Sequence, residues 1–271
     1  MIRPLRAIVL EARFDASPAD VWHALTDAEA LSNWFAPHIT AGQKIGGVVE
    51  MSWDGVNMWP TTIQVWEPEH HLRWGDPAPP APEDASQPRL SVDWLISTDG
   101  GQTVLRLVHS GFGEGANWDD QVDGTLGGWT YFLWNMGYCL TRHRGVPRMM
   151  VSARKRVPAN RAQFWESLVT SGLVSASPPG PTAGAACTVA LGRSFDAVVQ
   201  TSDPPNRFAA RIPSLNDALL FIELEGGAPS GFHAGFWIST YGLPNETVAE
   251  LQSALDETVT RLVENPAPVA L

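Results

Sequence analysis

The sequence predicts an α+β protein built from two copies of one domain, each a strongly curved antiparallel sheet with helices against one face. Three observations lead to this fold class. Short strand-like segments separated by turn residues fill both halves of the chain. A helix with a long apolar stripe closes each half. A strand, a Pro-containing turn and a helix occur in that order at the start of the chain and again after residue 148.

The first copy begins with a strand and a helix. Residues 7–16 alternate apolar and polar side chains, which indicates a half-buried strand. Ser17 is a favourable N-cap and Pro18 suits the first helical position, so a helix follows directly. A second short helix is expected to carry Trp34 and Phe35.

Antiparallel strands and one long helix complete the first copy. Asp54-Gly55 is typical of a hairpin, and residues 99–101 form a tight turn between two further strands. The Pro-rich, acidic segment 76–88 cannot contribute to a core, so we expect a mobile loop there. The helix that follows has apolar residues at intervals of three and four. These residues are Leu126, Trp129, Leu133, Met136 and Leu140.

The pattern restarts after residues 143–148, which have the composition of a linker. In the second copy Phe164 and Trp165 stand where the first copy has Val21 and Trp22. The second copy is shorter and poor in Trp, and its closing helix ends the repeat. We therefore expect two domains, 1–144 and 145–271.

Composition limits the kinds of partner and the compartment. The net charge of −11 argues against nucleic acid and against an anionic membrane surface, since both require clustered basic residues. The two cysteines, Cys139 and Cys187, do not make a disulfide framework, which favours a reducing cytoplasm. The N-terminal segment turns polar too early for a signal peptide, and we expect a cytoplasmic protein without a membrane span.

Specific segments of the first half resemble a known family. The segments are RFDASPADVWHALTDAEALSNWF at 13–35, LRWG at 72–75, and LVHSGF with GGWTYFLWNMGYCL within 107–140. They resemble the family named for the activator of Hsp90 ATPase, within the START and Bet v 1-like (SRPBCC) superfamily of helix-grip domains. The resemblance covers residues 6–142. The second half is similar only in element order and lacks the His-Ser-Gly-Phe and Gly-Trp segments, so it is identified as a degenerate helix-grip domain.

This resemblance implies tandem helix-grip domains, with a cavity between sheet and long helix that often takes an apolar ligand. Ten of the 12 Trp residues lie before residue 141, so the first domain is expected to hold an aromatic pocket. A solid aromatic core is the alternative, and the glycines within the long helix fit either close packing or room for a ligand. The candidate lining residues are Trp34, Trp53, Met58, Trp66, Trp74, Trp94, His109, Trp129, Leu133 and Met136.

His109 is the one titratable group that the sequence singles out. It could be a structural histidine bonded to a nearby group, a polar anchor for a ligand, or a general base. No Ser-His-Asp or Cys-His set can be identified from spacing, and catalytic residues are therefore not assigned. His70 and His71 are adjacent and point to opposite strand faces, so we expect no metal site, and no cofactor is expected.

Three functions follow from these observations. The first is binding of a small hydrophobic or aromatic molecule in the first domain, which is favoured over catalysis. The second is a cyclase- or hydrolase-type enzyme in which His109 works with Asp93 or Arg73. The third is a protein-interaction or chaperone-cofactor-like module, suggested by the acidic surface and by segment 76–88. Assembly into a homodimer remains open.

Overall fold

The chain folds as two compact units, Met1–Pro147 and Arg148–Leu271. The computed structural model describes residues 6–77, 89–158, 160–176, 182–225 and 231–264. Most of the expected mobile loop at 76–88 lies outside these residues. Each unit is an antiparallel seven-stranded sheet with helices, so the fold is α+β with tandem helix-grip domains, as the sequence predicts.

The first unit contains seven strands and three helices. In chain order they are β1 (Arg6–Phe14), α1 (Pro18–Thr26), α2 (Ala28–Ser32), β2 (His38–Ala41), β3 (Val48–Ser52), β4 (Trp59–Glu67), β5 (His71–Gly75), β6 (Ser91–Asp99), β7 (Gln102–Phe112) and α3 (Ala116–Arg142). The strand order is β1-β7-β6-β5-β4-β3-β2, so the first and last strands pair. Strands β2 to β6 each pair with the next strand along the chain, so β1 and β2 form the two edges of the sheet. The helices α1 and α2 connect these two edge strands.

The second unit repeats this strand order with one helix fewer. Its elements are β8 (Arg148–Val157), α4 (Arg161–Thr170), β9 (Val174–Ala176), β10 (Ala186–Leu191), β11 (Arg193–Asp203), β12 (Arg207–Ile212), β13 (Ala218–Glu225), β14 (Phe232–Tyr241) and α5 (Asn245–Glu264). The order β8-β14-β13-β12-β11-β10-β9 matches that of the first sheet strand for strand. The internal repeat is therefore a repeat of topology.

The first helix begins as its sequence predicts. The Ser17 hydroxyl accepts a hydrogen bond from the Asp20 backbone N–H at 3.1 Å, and the Asp20 carboxylate accepts one from the Ser17 N–H. This reciprocal capping box satisfies two of the free donors at the helix N-terminus. Asn160 caps α4 at the corresponding place after β8.

The second helix is shorter than predicted. It ends at Ser32, so Trp34 and Phe35 lie after it rather than in it. Hydrogen bonds to distant residues hold this segment, because the Trp34 indole N–H donates to the Ala24 carbonyl at 2.8 Å and Asn135 of α3 donates to the Trp34 carbonyl at 2.6 Å. Tertiary contacts therefore override the local helical pattern.

Gly137 of the long helix α3 packs closely against Phe14 of β1. At about 1.5 Å per residue the 27 residues of α3 span about 40 Å. A Cβ atom added at Gly137 would lie 3.1 Å from the Phe14 ring, whereas one added at Gly124 would meet nothing within 4 Å. The same helix thus has one glycine that is needed for close packing and one that is not.

These two glycines give a matched test of helix packing. Gly124→Ala should stabilise the first unit by up to about 1 kcal/mol, because alanine favours the helix and nothing obstructs it. Gly137→Ala should be at least about 1 kcal/mol less favourable, because the same gain is offset by contact with Phe14. Urea denaturation followed by Trp fluorescence measures both. Equal stabilisation by the two substitutions would contradict this packing.

Candidate functional site

Seven aromatic side chains lie together between α3, the segment after α2 and the inner face of the first sheet, the face that carries Trp94 and His109. We call them the aromatic cluster. Its members are Trp34, Phe35, Trp53, Trp74, Trp94, Trp129 and Phe132. The sheet supplies Trp74 and Trp94, since alternate residues of neighbouring strands share a face.

Phe35 lies at the centre of the aromatic cluster. Its ring stacks on Trp129 of α3 with a centroid separation of 5.4 Å and an angle of 12°. It also meets Phe132 at 4.7 Å and Trp53 at 5.5 Å, both edge to face. These are favourable aromatic geometries, so the cluster combines apolar burial with oriented ring contacts.

The aromatic cluster reaches the surface at the loop between β3 and β4. Trp53 contacts Trp59 at 5.5 Å, and Trp59 is 49% exposed. Val56 and Met58 in the same loop are also exposed. These three residues, Val56, Met58 and Trp59, form what we call the rim. A continuous series of ring contacts therefore joins the exposed rim to the fully buried Trp94 through Trp53, Phe35 and Trp129.

His109 lies beside the buried end of the aromatic cluster. The Trp129 indole N–H donates to His109 Nδ1 at 2.9 Å, so this nitrogen carries the lone pair and the proton of the neutral ring is on Nε2. Burial lowers the pKa of His109 from 6.5 to about 4, and the ring is neutral at neutral pH. His109 is thus a hydrogen-bond donor through Nε2 and a weak base.

Two buried polar atoms near the aromatic cluster have no hydrogen-bond partner among the described residues. One is the indole N–H of Trp94, a residue with no exposed surface. The other is Oδ1 of Asn135 on α3, whose amide N–H₂ is used by the Trp34 carbonyl. Buried polar groups are nearly always paired, so each of these atoms calls for a partner such as a ligand or an ordered water.

The structure brings together most of the residues that the sequence proposed as a pocket. Trp34, Trp53, Trp74, Trp94 and Trp129 belong to the aromatic cluster, and His109 contacts it. His109 lies within β7 rather than at its end, since the strand continues to Phe112. Met136 is fully buried on α3.

Two of the proposed residues lie apart from the cluster. Trp66 packs edge to face on Trp22 of α1 at 5.0 Å. Met58 is 44% exposed in the rim. Leu133 is buried on α3 and also lines a groove between β1 and α3. Trp66 owes its place to a β-bulge between Ile63 and Val65, which shifts the alternation of β4.

Sequence reasoning missed Phe35 and Phe132 as members of the cluster. Phe35 was assigned to a helix stripe, and Phe132 lies outside the stripe that contains Trp129 and Leu133. Phe132 lies three residues after Trp129, which places both on neighbouring parts of one helix face. A prediction that allowed the apolar face of α3 to be wider than one row of residues would have included Phe132.

The acid–base partners considered for His109 lie on the other face of the sheet. His109 pairs with Val92 across β6 and β7, and Asp93, the next residue, points to the opposite face. There the Asp93 carboxylate accepts hydrogen bonds from Arg73 at 2.7 and 2.9 Å and contacts His71 at 2.6 Å. These contacts lower the pKa of Asp93 despite its burial. Asp93 and Arg73 therefore do not assist His109.

The open groove between β1 and α3 lies outside the aromatic cluster. It has a volume of about 470 Å³, and Leu10, Phe14, Leu133 and Gly137 are among the residues that line it. A second, more polar hollow of about 490 Å³ lies near Ser17 and Arg144. The rings of the aromatic cluster line neither of these two hollows.

The second unit shows what occupies the equivalent positions in the same fold. Phe14 and Val157 each end a strand three residues before a helix cap, so Ile8 of β1 corresponds to Val151 of β8. His109 pairs with Ile8, and Ile238 pairs with Val151. Ile238 therefore stands in place of His109.

Trp94 is also replaced by an aliphatic residue. By the same register Ile222 takes the position of Trp94. Both isoleucines are fully buried in a core cluster that contains no Trp among its buried members. The polar atoms of the first unit thus have no counterpart at these positions in the second.

The described residues hold no group of three or more His, Cys, Asp or Glu side chains suited to a metal ion. Within the same part of the chain, no helix combines the length and the apolar character that crossing a membrane requires.

Residues 15–140 match the family described as activator of Hsp90 ATPase homolog 1-like protein. Comparison with curated protein sequences finds no significant match.

Comparison with solved structures finds similar proteins. A protein from Mesorhizobium loti is 23% identical over 51% of this chain and 98% of its own, with a TM-score of 0.44. The Aha1 dimer from Colwellia psychrerythraea is 21% identical over 52% of this chain and all of its own, with a TM-score of 0.45. The di-domain ARO/CYC protein BexL of the BE-7585A biosynthetic pathway is 13% identical over 98% and 100%, with a TM-score of 0.43.

Burial of a neutral His109 predicts a loss of stability in acid. The unfolded chain binds the proton with a pKa of 6.5 and the native protein only near 4, so proton uptake favours unfolding within that window. Stability that is present above pH 6.5 should fall by about 2 to 3 kcal/mol as the pH approaches 4. Urea denaturation followed by Trp fluorescence reports the first unit, which holds ten of the 12 Trp residues.

His109→Asn is the matched control for this loss, because the Asn oxygen can accept the Trp129 N–H and the side chain does not titrate. The substitution should lower stability at neutral pH but flatten its pH dependence. A variant that loses as much stability in acid as the wild-type protein would show that His109 is not the responsible group.

Proposed function

We propose that the first unit, a domain of the activator of Hsp90 ATPase homolog 1-like family, binds a small hydrophobic or aromatic molecule between its sheet and α3. The observation that carries the proposal is the difference between the two units. The second unit builds the same strand order around a core of aliphatic and Phe side chains, and no Trp is among the buried members of that core. The aromatic cluster therefore exceeds what the fold needs for stability, and flat apolar walls suit a flat apolar ligand.

The rim supports a route of entry. Trp59 is half exposed and contacts Trp53, whose ring meets Phe35 and Phe132 inside. Exposed aromatic and aliphatic side chains at the edge of an apolar site are a usual feature of ligand entrances. Because the Trp53 and Phe132 rings pack on each other and on Phe35, entry by this route requires them to move aside.

Gly128 supports the presence of room on the helix. A Cβ atom added there would have only the Phe132 ring near it, at 3.8 Å. When the Phe132 ring moves, the helix backbone at Gly128 becomes one wall of the site. A glycine inside a helix costs about 1 kcal/mol relative to alanine, and close approach of a ligand is a physical reason to retain it.

Fluorene, a flat three-ring hydrocarbon, is a suitable probe of this site. Isothermal titration calorimetry should detect binding to the wild-type chain. Gly128→Leu should weaken it about tenfold or more, because the new side chain takes the space beside Phe132. Gly124→Leu, on an exposed and unobstructed part of the same helix, is the matched control and should bind as the wild type does.

Absence of fluorene binding to the wild-type protein would contradict the proposal. Equal binding by the Gly128→Leu and Gly124→Leu variants would place the ligand elsewhere, the β1–α3 groove being the alternative site. Native mass spectrometry of the protein purified from its own host would then identify any molecule that it retains.

Docking of a protein on the rim is the second candidate function. The exposed Val56, Met58 and Trp59 favour it, since exposed apolar groups often mark protein contacts. In that case Trp59→Ser would abolish capture of a stoichiometric partner and leave fluorene binding unchanged. The enzyme alternative has no support from the neighbours of His109, because Asp93 and Arg73 lie on the opposite face.

A further inference from the structure

The buried indole N–H of Trp94 is a donor without an acceptor. Trp94 has no exposed surface, and its Nε1 has no hydrogen-bond partner among the described residues. Around it lie the rings of Trp34, Trp74 and Trp129. A phenylalanine at this position would avoid the cost of a buried, unpaired donor. An N–H at the buried end of an apolar site is therefore a feature that an acceptor atom of a ligand would use.

A second donor lies beside the same Trp129 ring. The His109 Nδ1 accepts the Trp129 indole N–H, so the imidazole proton is on Nε2. Nε2 has no acceptor within the described part of the chain, and unlike Trp94 Nε1 it is not among the fully buried unpaired atoms. The Trp129 ring centroid is 5.2 Å from that of Trp94 and 6.0 Å from that of His109, so the two donors border one ring.

The strand register puts these two donors on the same face of the sheet, on neighbouring strands. His109 of β7 pairs with Val92 of β6, and Trp94 lies two residues further along β6. Residues two apart on a strand share a face, so Trp94 and His109 are diagonal neighbours on the inner face of the sheet. Ile222 and Ile238 at the equivalent positions of the second unit offer no donor.

The two donors are neutral, which limits the acceptor that they suit. Two N–H groups favour an oxygen acceptor and disfavour a group that can only donate, such as an ammonium. Trp94 carries no charge, and burial keeps His109 neutral at neutral pH. A carboxylate placed here would be a buried charge without a cationic partner, which is strongly unfavourable. A carbonyl oxygen on a flat aromatic framework meets all of these conditions.

We infer that the ligand of the first unit is a neutral aromatic ketone, an inference that rests on the proposed function. Its carbonyl oxygen accepts hydrogen bonds from Trp94 Nε1–H and His109 Nε2–H. The rings of the ligand lie among the aromatic cluster, and the oxygen lies at the buried end. The two donors thus set both the orientation and the chemical class of the ligand.

Fluorenone and fluorene test this inference, because they have the same three-ring framework and differ by the carbonyl oxygen. Calorimetry on the wild-type protein should show fluorenone binding about tenfold more tightly than fluorene. Trp94→Phe should remove most of this preference, measured as the ratio of the two affinities, because a change in ring packing affects both probes and cancels in the ratio. Trp22→Phe, which changes a Trp that packs on Trp66 instead, is the matched control and should retain the preference.

His109→Asn provides a second variant should Trp94→Phe fail to fold, because it removes the Nε2 donor and keeps an acceptor for Trp129. It should also reduce the preference for fluorenone. Equal affinities for the two probes in the wild-type protein, or an unchanged preference in both variants, would overturn the inference while leaving the proposed function intact. Failure of both probes to bind would overturn the proposed function as well.

Discussion

The hydrogen bond from Trp129 to His109 joins the long helix α3 to β7, the neighbour of the edge strand β1 in the first sheet. It joins residues that are 20 positions apart and lies where both side chains are buried. Because Nδ1 is occupied as an acceptor, the histidine presents only a donor to its remaining surroundings. Burial keeps the ring neutral, so this donor persists at neutral pH. The tautomer of His109 and the donor character of its remaining nitrogen follow from this contact, which is also one of the contacts that hold α3.

The two units show how one topology carries two different interiors. Their strand orders match, and both have a capped helix after the first strand. The second unit fills its interior with aliphatic and Phe side chains, without a buried Trp, and places Ile238 where the first unit has His109. Sheet pairing is a property of the backbone, so the fold persists while the residues on the inner face change. The strand order does not require the Trp residues and His109 of the first interior, because the second unit forms the same sheet without them.

Much of this structure could be predicted from local patterns in the sequence. Alternation identifies β1, the capping residues identify the start of α1, and spacing of three and four identifies the apolar face of α3. These signals arise from neighbouring residues, which is why periodicity and capping rules detect them.

The aromatic cluster depended on contacts that no local pattern contains. Phe35 became central because the chain leaves the helical path after Ser32. The bond between Asn135 and Trp34, which span 101 positions, fixes that segment. A bulge in β4 and an exposed β3–β4 loop likewise determined where Trp66 and Met58 lie. Sequence alone thus identified residue types for the site, and tertiary packing selected which of them meet.

The most direct test of this account is the protonation state of His109 in solution. A long-range proton–nitrogen NMR correlation spectrum of the wild-type protein at neutral pH distinguishes the two ring nitrogens. The account predicts an unprotonated Nδ1 and a protonated Nε2, with the Trp129 indole N–H shifted by its hydrogen bond. A doubly protonated imidazolium, or the proton on Nδ1, would contradict it, because Nδ1 could not then accept from Trp129.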